Sequence, residues 1–351
     1  MGLESLLPVL KKIWSLRQDM VAAAAHWTGA GRVFELAHGP AVGGLILMYH
    51  SVAAPEAAAF IDPPNRIAPE LFEAQMAYLA QHRRVVALSE LVAQIERGQT
   101  PPPDTVCITF DDGYLDNLTV AAPILARHEL PATVFLATGY VSRGESQWAD
   151  VLFSMMQART RDRVSIAQPG LEQLDLGSRA GRQTARRALH RNLLQASYAE
   201  RSELLASLAQ QLAPTGTPPR LTMNWDDVRR LRAEHPRFEF GGHTRDHIDL
   251  RSHADSEAEA QITACDQDIQ RELGVTPRHF SFPYGRWAAA SRQIVMAQGW
   301  ASAVGEGTEL RIGAQTDRFS IPRIDAPRRM SDFRFKTSGA HPGLLAALGL
   351  H

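Results

Sequence analysis

The chain has 351 residues, a mass of 38.7 kDa and a formal net charge of -1, with 44% apolar and 21% charged residues. That balance suits a soluble globular enzyme and leaves no electrostatic footprint for nucleic acid, so a nucleic-acid partner is set aside. The two cysteines, Cys107 and Cys265, stand far apart with no paired spacing. A disulfide framework and a thiolate metal site are therefore excluded, and both read as buried thiols.

Residues 1–43 read as an N-terminal helical segment. Leu3, Leu6, Leu10 and Ile13, with Leu7 and Trp14 alongside, fall at helical spacing next to Lys11, Lys12 and Arg17. Such a helix either docks on the main domain or makes peripheral contact with a membrane surface. Pro8, Lys11 and Lys12 interrupt the apolar run before a signal-peptide core is reached, and no stretch approaches the roughly 20 residues that cross a bilayer. The expectation is a cytoplasmic protein, with membrane association left open.

Seven short β-rich runs follow in order: Gly44–His50, Thr105–Phe110, Ala132–Thr138, Phe238–His243, His279–Tyr284, Ala301–Gly305 and Ser320–Asp325. Between them lie segments with helical periodicity, among them Pro69–His82, Asn117–His128 and Ala258–Gly274. This alternation predicts parallel strands with crossover helices, and continuous apolar strands predict a sheet covered on both faces. The beat stops between 148 and 220, where an Arg-, Gln-, Ala- and Leu-rich stretch predicts two or so helices preceded by a weakly β-like run. This segment reads as an insertion that can form a lid or wall over a site at the strand ends. Asn224 is placed to cap the helix after it. The domain expectation is 44–147 and 221–328 as two parts of one barrel, 148–220 as the insertion and 329–351 as a C-terminal tail.

Within "CITFDDGYLDN" two aspartates stand side by side, Asp111 and Asp112, although like charges repel. On a solvated turn such a pair can be idle. In a site, one carboxylate can hold a cation while the other handles protons. "GGHTRDH" places His243 and His247 four residues apart, a spacing that in a helical turn puts both imidazoles on one face. "FSFPYG" sets Pro283 as a rigid turn and allows the Tyr284 N–H to face a cleft as an oxyanion donor. "LMYHSV" delivers His50 at the end of the first strand. All four sit where a strand hands over to a loop, which is where the active sites of parallel barrels gather.

"TFDDG", "HTRDH" and "FPYG", in this order and spacing, resemble the polysaccharide deacetylase family of carbohydrate esterases. Its NodB-homology domain is a distorted (β/α) barrel, so the fold expected here is α/β with a helical insertion. The resemblance implies that Asp111 is the general base. It implies also that Asp112, His243 and His247 hold a divalent metal, most often Zn2+, and that an N-acetylated amino-sugar glycan is the substrate. The cation would offset the repulsion between the two carboxylates.

Many members take the general acid from a C-terminal histidine motif, and this chain has only His341 and His351 after Asp325. The layout is closest to the permuted poly-N-acetylglucosamine deacetylases, whose acid sits in an N-terminal "YH" segment, which gives that role to His50. Ser281 stands where many relatives carry an arginine that orients the base, and Arg323 is the candidate substitute. Asp246 reads as a solvated or capping acid, Asp116 and Asn117 as the start of a helix, and Trp148 and Asp150 as sugar-site or anchoring residues. Two other readings compete: hydrolysis or deformylation of a small non-sugar amide, and a catalytically silent carbohydrate-binding protein. The intact set of Asp111, Asp112, His243, His247 and His50 argues against silence.

Overall fold

A computed structural model describes residues 43–306 and 311–338. The expected N-terminal helix, His341 and His351 lie outside the described residues. All seven predicted strands form, each trimmed by a residue or more at one or both ends except Thr105–Phe110. They are β1 (Leu45–Tyr49), β2 (Thr105–Phe110), β3 (Ala132–Leu136), β4 (Phe238–Gly242), β5 (His279–Ser281), β6 (Ser302–Glu306) and β7 (Ile321–Asp325). All are parallel, each pairs with the next in sequence, and β1 closes the ring by lying between β7 and β2. Leu47 of β1 is thereby in register with Ile324 on one side and Ile108 on the other. A two-residue strand, Arg84–Val85, adds to the free portion of β2.

Strands such as β1 (LILMY) and β3 (ATVFL) are mostly apolar because both faces are buried. Ile46, Cys107, Phe135, Val304 and Ile321, from five of the strands, share one cluster and so fill the lumen, where Leu88, Leu91 and Val92 join them. Those three residues belong to α2 (Leu88–Glu96), which follows α1 (Pro69–His82) and plugs the N-terminal mouth beside Gly44. The outward-facing Leu45, Leu47, Val106 and Ile108 pack instead against Phe72, Met76 and Leu79 of α1. The other helices of the outer layer are α3 (Ala122–Arg127), α7 (Trp225–Glu234), α8 (Asp255–Leu273) and α9 (Ala289–Ala297). Asn224 caps α7 as expected, its side chain accepting from the Asp227 N–H.

Three helices form within 148–212, one more than the two or so expected. They are α4 (Trp148–Ala158), α5 (Arg179–Gln195) and α6 (Tyr198–Leu212), with a two-stranded antiparallel ribbon pairing Arg163–Val164 with Leu174–Asp175. Their apolar faces make a separate cluster, with Leu189, Leu193 and Leu208 fully buried. This segment packs on the barrel through Ala137, Tyr140 and Tyr284.

The expected C-terminal tail is corrected in part. Met330–Thr337 is a helix, α10, whose Phe333 is buried in the main core beside Tyr78, because Met330 and Phe333, three residues apart, fall on one helix face. No helix among the described residues is long and apolar enough to cross a membrane.

Candidate active site

The polar residues singled out in the sequence meet at the C-terminal mouth of the barrel. One cleft is lined by His50, Asp111, Asp112, His243, His247 and Tyr284, with Trp148 forming part of its wall. Asp111 follows directly from β2, His243 from β4 and His50 from β1, while Arg323 lies within β7.

Arg323 clasps Asp111. Its two terminal nitrogens donate to the two carboxylate oxygens at 2.7 Å each, and one of them also donates to Ser281 Oγ at 2.7 Å. Ser281 Oγ in turn donates to Asp111 at 3.3 Å. Burial alone would raise the Asp111 pKa, but the Arg323 charge with its paired hydrogen bonds holds it well below the usual carboxylate range. Ser281 thus leaves room for a guanidinium that arrives from another strand.

Asp112 is the opposite case. It is buried, its Oδ1 has no hydrogen-bond partner among the described residues, and burial followed by the neighbouring charges of Asp111 and Asp150 pushes its pKa well above the ordinary value. Its backbone is left-handed at φ 73°, with Gly113 following at φ 74°. Two such residues in succession turn the chain sharply at the strand end and aim the carboxylate into the cleft.

The helical turn expected for His243 and His247 is not what brings them together. The segment is an irregular loop in which Thr244 (φ 60°) and His247 (φ 50°) both adopt left-handed backbone. The rings still meet, their centroids 4.8 Å apart. A four-residue spacing does not specify a helix when local hydrogen bonds hold another path. Here Gly139 N–H donates to the Arg245 carbonyl at 2.7 Å and Asp246 N–H to Gln261 Oε1 at 2.7 Å. A Cβ on Gly139 would lie 2.5 Å from Asp246 Oδ1 and 2.7 Å from the Arg245 carbonyl oxygen. Asp246 is not a solvated acid: it is buried and accepts from Arg143 at 2.9 Å and from Gln261 at 2.9 Å.

Each imidazole has its Nδ1 engaged and its Nε2 facing Asp112. His243 Nδ1 lies 2.8 Å from the Ser281 carbonyl, which can only accept, so Nδ1 carries the proton and Nε2 the lone pair. His247 Nδ1 lies 3.1 Å from the Tyr284 hydroxyl. The Nε2 atoms of His243 and His247 stand 3.6 and 3.2 Å from Asp112 Oδ1. Burial lowers the His243 pKa to about 4 and the His247 pKa well below its ordinary value, so both rings are neutral rather than salt-bridged.

One carboxylate oxygen and two imidazole nitrogens lie within 4.8 Å of one another. An orphaned buried oxygen beside two inward lone pairs is the donor set of a divalent-cation site with open positions. The residues present therefore fit a metal such as zinc.

His50 is half-buried, and burial lowers its pKa while the facing charges of Asp111 and Asp325 oppose that shift. Asp116 and Asn117 do begin the next helical turn, but their side chains are spent on this corner. Asp116 accepts from Ser51 Oγ at 2.5 Å and from the Val52 N–H at 3.0 Å, and Asn117 Nδ2 donates to the His50 carbonyl at 2.8 Å. Asp150 is fully buried between Tyr114 Oη at 2.6 Å and the Asp62 N–H at 2.9 Å.

A closed parallel barrel with a carboxylate–imidazole trio at its C-terminal rim is the framework of a hydrolase that can use a metal ion. The family model described as "Polysaccharide deacetylase" matches residues 98–192 and 193–302, and the chain belongs to that family, whose members hydrolyse non-peptide carbon–nitrogen bonds. The chain is 33% identical over 92 residues to the putative polysaccharide deacetylase YxkH of Bacillus subtilis (strain 168), a match that covers 26% of this chain and 30% of that relative.

Among solved structures, the fold is similar to the Streptococcus pyogenes deacetylase PplD in complex with acetate, with a TM-score of 0.55 at 17% identity over 85% of this chain and 98% of that one. It is also similar to IcaB from Ammonifex degensii, with a TM-score of 0.56 at 16% identity over 86% and 98% of the two chains.

Proposed function

We propose that the protein is a metal-dependent deacetylase that hydrolyses the N-acetyl group of an amino sugar in a polysaccharide, oligosaccharide or lipid-linked glycan. The observation that carries this reading is the division of labour between the paired aspartates. Asp111 is held ionised by Arg323, while Asp112 faces two neutral imidazoles with an unsatisfied oxygen. A divalent cation, zinc by family resemblance, would supply Lewis-acid activation of the acyl carbonyl and of water at that trio.

Asp111 orients the attacking water and takes its proton as the water oxygen bonds to the carbonyl carbon. The Arg323 pair makes Asp111 a weak base, so it passes that proton on readily. The Tyr284 N–H is the donor for the developing oxyanion. His50 is neutral at rest, and Asp111 and Asp325 favour its imidazolium once hydrolysis releases a proton. It then protonates the departing nitrogen as the carbon–nitrogen bond breaks, leaving acetate and a free amine.

The test is acetate release from N-acetylglucosamine oligomers and from lipid-linked acetamido sugars, with metal content measured in parallel. Acetate produced by the wild type and lost in Asp111→Asn and His50→Ala, with metal retained in both, is the expected result. Full activity in His50→Ala would overturn the placement of the acid. Metal binding without cleavage of any acetamide would favour a small-amide substrate or a silent binder.

A further inference from the structure

The segment 148–212 reaches the His247 corner of the site by two separate routes. The first runs through Tyr284. Its hydroxyl lies 3.1 Å from Trp148 Nε1, 3.1 Å from His247 Nδ1 and 3.3 Å from the His247 carbonyl oxygen. The indole N–H can only donate and the carbonyl can only accept. The single Tyr284 proton therefore goes to the carbonyl, and both hydroxyl lone pairs accept, one from Trp148 and one from His247. Nδ1 of His247 must then carry the hydrogen, which leaves Nε2 as the lone-pair nitrogen that faces Asp112 at 3.2 Å. Loss of the indole donor removes one of the contacts that hold the hydroxyl against turning to donate to Nδ1. Such a turn moves the ring hydrogen to Nε2 and removes the ligand atom.

The second route is Arg201 of α6, 1% exposed, which makes no ion pair among the described residues. A buried guanidinium is costly unless its donors are used. Here Nε donates to the Leu193 carbonyl at 2.8 Å and Nη1 to the carbonyls of Asp246 at 2.8 Å and His247 at 3.2 Å, while Nη2 has no hydrogen-bond partner among the described residues. Those two carbonyls belong to the peptide planes on either side of the His247 Cα, so one guanidinium fixes both its φ and its ψ. Its φ of 50° is a conformation that a non-glycine residue keeps only when its surroundings impose it. The guanidinium also sits over the Trp148 ring at 5.5 Å, which couples the two routes.

We propose that Trp148 and Arg201 are positioning residues of the metal centre. Trp148 sets the tautomer of His247 through Tyr284, and Arg201 sets its backbone. The segment that supplies them is thus a structural part of the cation site. This inference rests on the metal-site reading above.

The experiment is Zn2+ affinity by competition with a chromophoric chelator, together with the visible spectrum of the Co2+-substituted full chain. The comparison set is wild type, Trp148→Phe, Tyr284→Phe, the double variant, Arg201→Met and Leu189→Ala. Trp148→Phe should lose about 10- to 100-fold in affinity and shift the Co2+ spectrum, the range found for outer partners of ligating histidines. The double variant should be no weaker than Tyr284→Phe, because a Phe ring keeps the aromatic face beneath Arg201 and only the indole donor to that hydroxyl is lost. Arg201→Met should also lose affinity. Leu189→Ala, which opens a cavity in the same segment away from the relay, should lower the thermal midpoint without changing affinity.

Unchanged Zn2+ affinity and spectrum in Trp148→Phe would overturn the proposal. So would an equal loss in Leu189→Ala, which would trace the effect to the general stability of the segment. A wild type that binds no divalent metal would bring down the metal-site reading itself, a result distinct from variants that bind as well as a metal-binding wild type.

Discussion

Asp111 and Asp112 are neighbours in sequence, leave the same strand and are both buried, yet their surroundings are opposite. On the Asp111 side every charge is answered: two Arg323 donors and the Ser281 hydroxyl occupy its oxygens, and its pKa is pulled down. On the Asp112 side nothing among the described residues donates to Oδ1, the two facing groups are imidazole nitrogens, and its pKa is pushed up. A finished ion pair and an open donor set side by side show that adjacency in sequence does not imply a shared role. The protein supplies a cationic partner for one carboxylate and none for the other among the described residues.

The sharpest way to break this contrast is to remove the open half. Asp112→Ala should abolish stoichiometric divalent-metal binding, read by metal analysis after dialysis, while leaving the fold intact by circular dichroism. Removal of an unpartnered buried carboxylate should even raise the thermal midpoint of the metal-free protein. Breaking the finished half should do the reverse to stability. Arg323→Met leaves a buried carboxylate without its partner, and a loss of about 3–5 kcal/mol is expected in denaturant unfolding. Metal affinity in Arg323→Met should change far less than in Asp112→Ala.

Gly139→Ala tests the support beneath the open half. Its methyl group has no room against Asp246 and the Arg245 carbonyl, so the ligand loop must shift. A loss of about 1–3 kcal/mol is expected, with weaker metal binding and no effect on the Asp111–Arg323 pair.

A last comparison concerns Asp116, outside both halves, whose pKa burial raises to about 7 despite its bonds from Ser51 and Val52. Its folded pKa lies above the unfolded value of about 3.9, so the folded state binds the extra proton between these limits. Stability from this group is full at low pH and falls as pH rises from about 4 to about 7, by at most about 1.4 kcal/mol per pH unit. Asp116→Asn should remove that slope from the difference between the two unfolding profiles.

The barrel was legible because strands buried on both faces are short β-rich runs, the first ones mostly apolar, and all seven stood out against polar or helical connections. The site residues were legible as far as each sits at a strand exit. Spacing alone misjudged the His243–His247 segment, because four residues span a helical turn or a left-handed loop equally well. The docked helix over Met330–Thr337 was missed because its apolar residues are few and do not sustain a helical repeat in a short polar stretch. The contacts from 148–212 were out of reach altogether. Trp148 bonds to Tyr284 across 136 residues, and Arg201 reaches Asp246 across 45. Trp148 read as an apolar anchor or a sugar platform, and it is an anchor whose indole nitrogen also serves the site.

The ring order has a kinetic consequence. Leu47 and Ile324 are partners in space but lie at opposite ends of the described chain, so the barrel closes only by a contact of very long range. Arg323, on the strand that makes this closure, is also the residue that neutralises Asp111. Until that strand docks, a carboxylate has no counter-charge, and the lumen stays open to water along two unpaired edges. Closure and charge compensation therefore occur in one late, cooperative event, and nascent chains that stall before β7 should be the species most prone to misassembly.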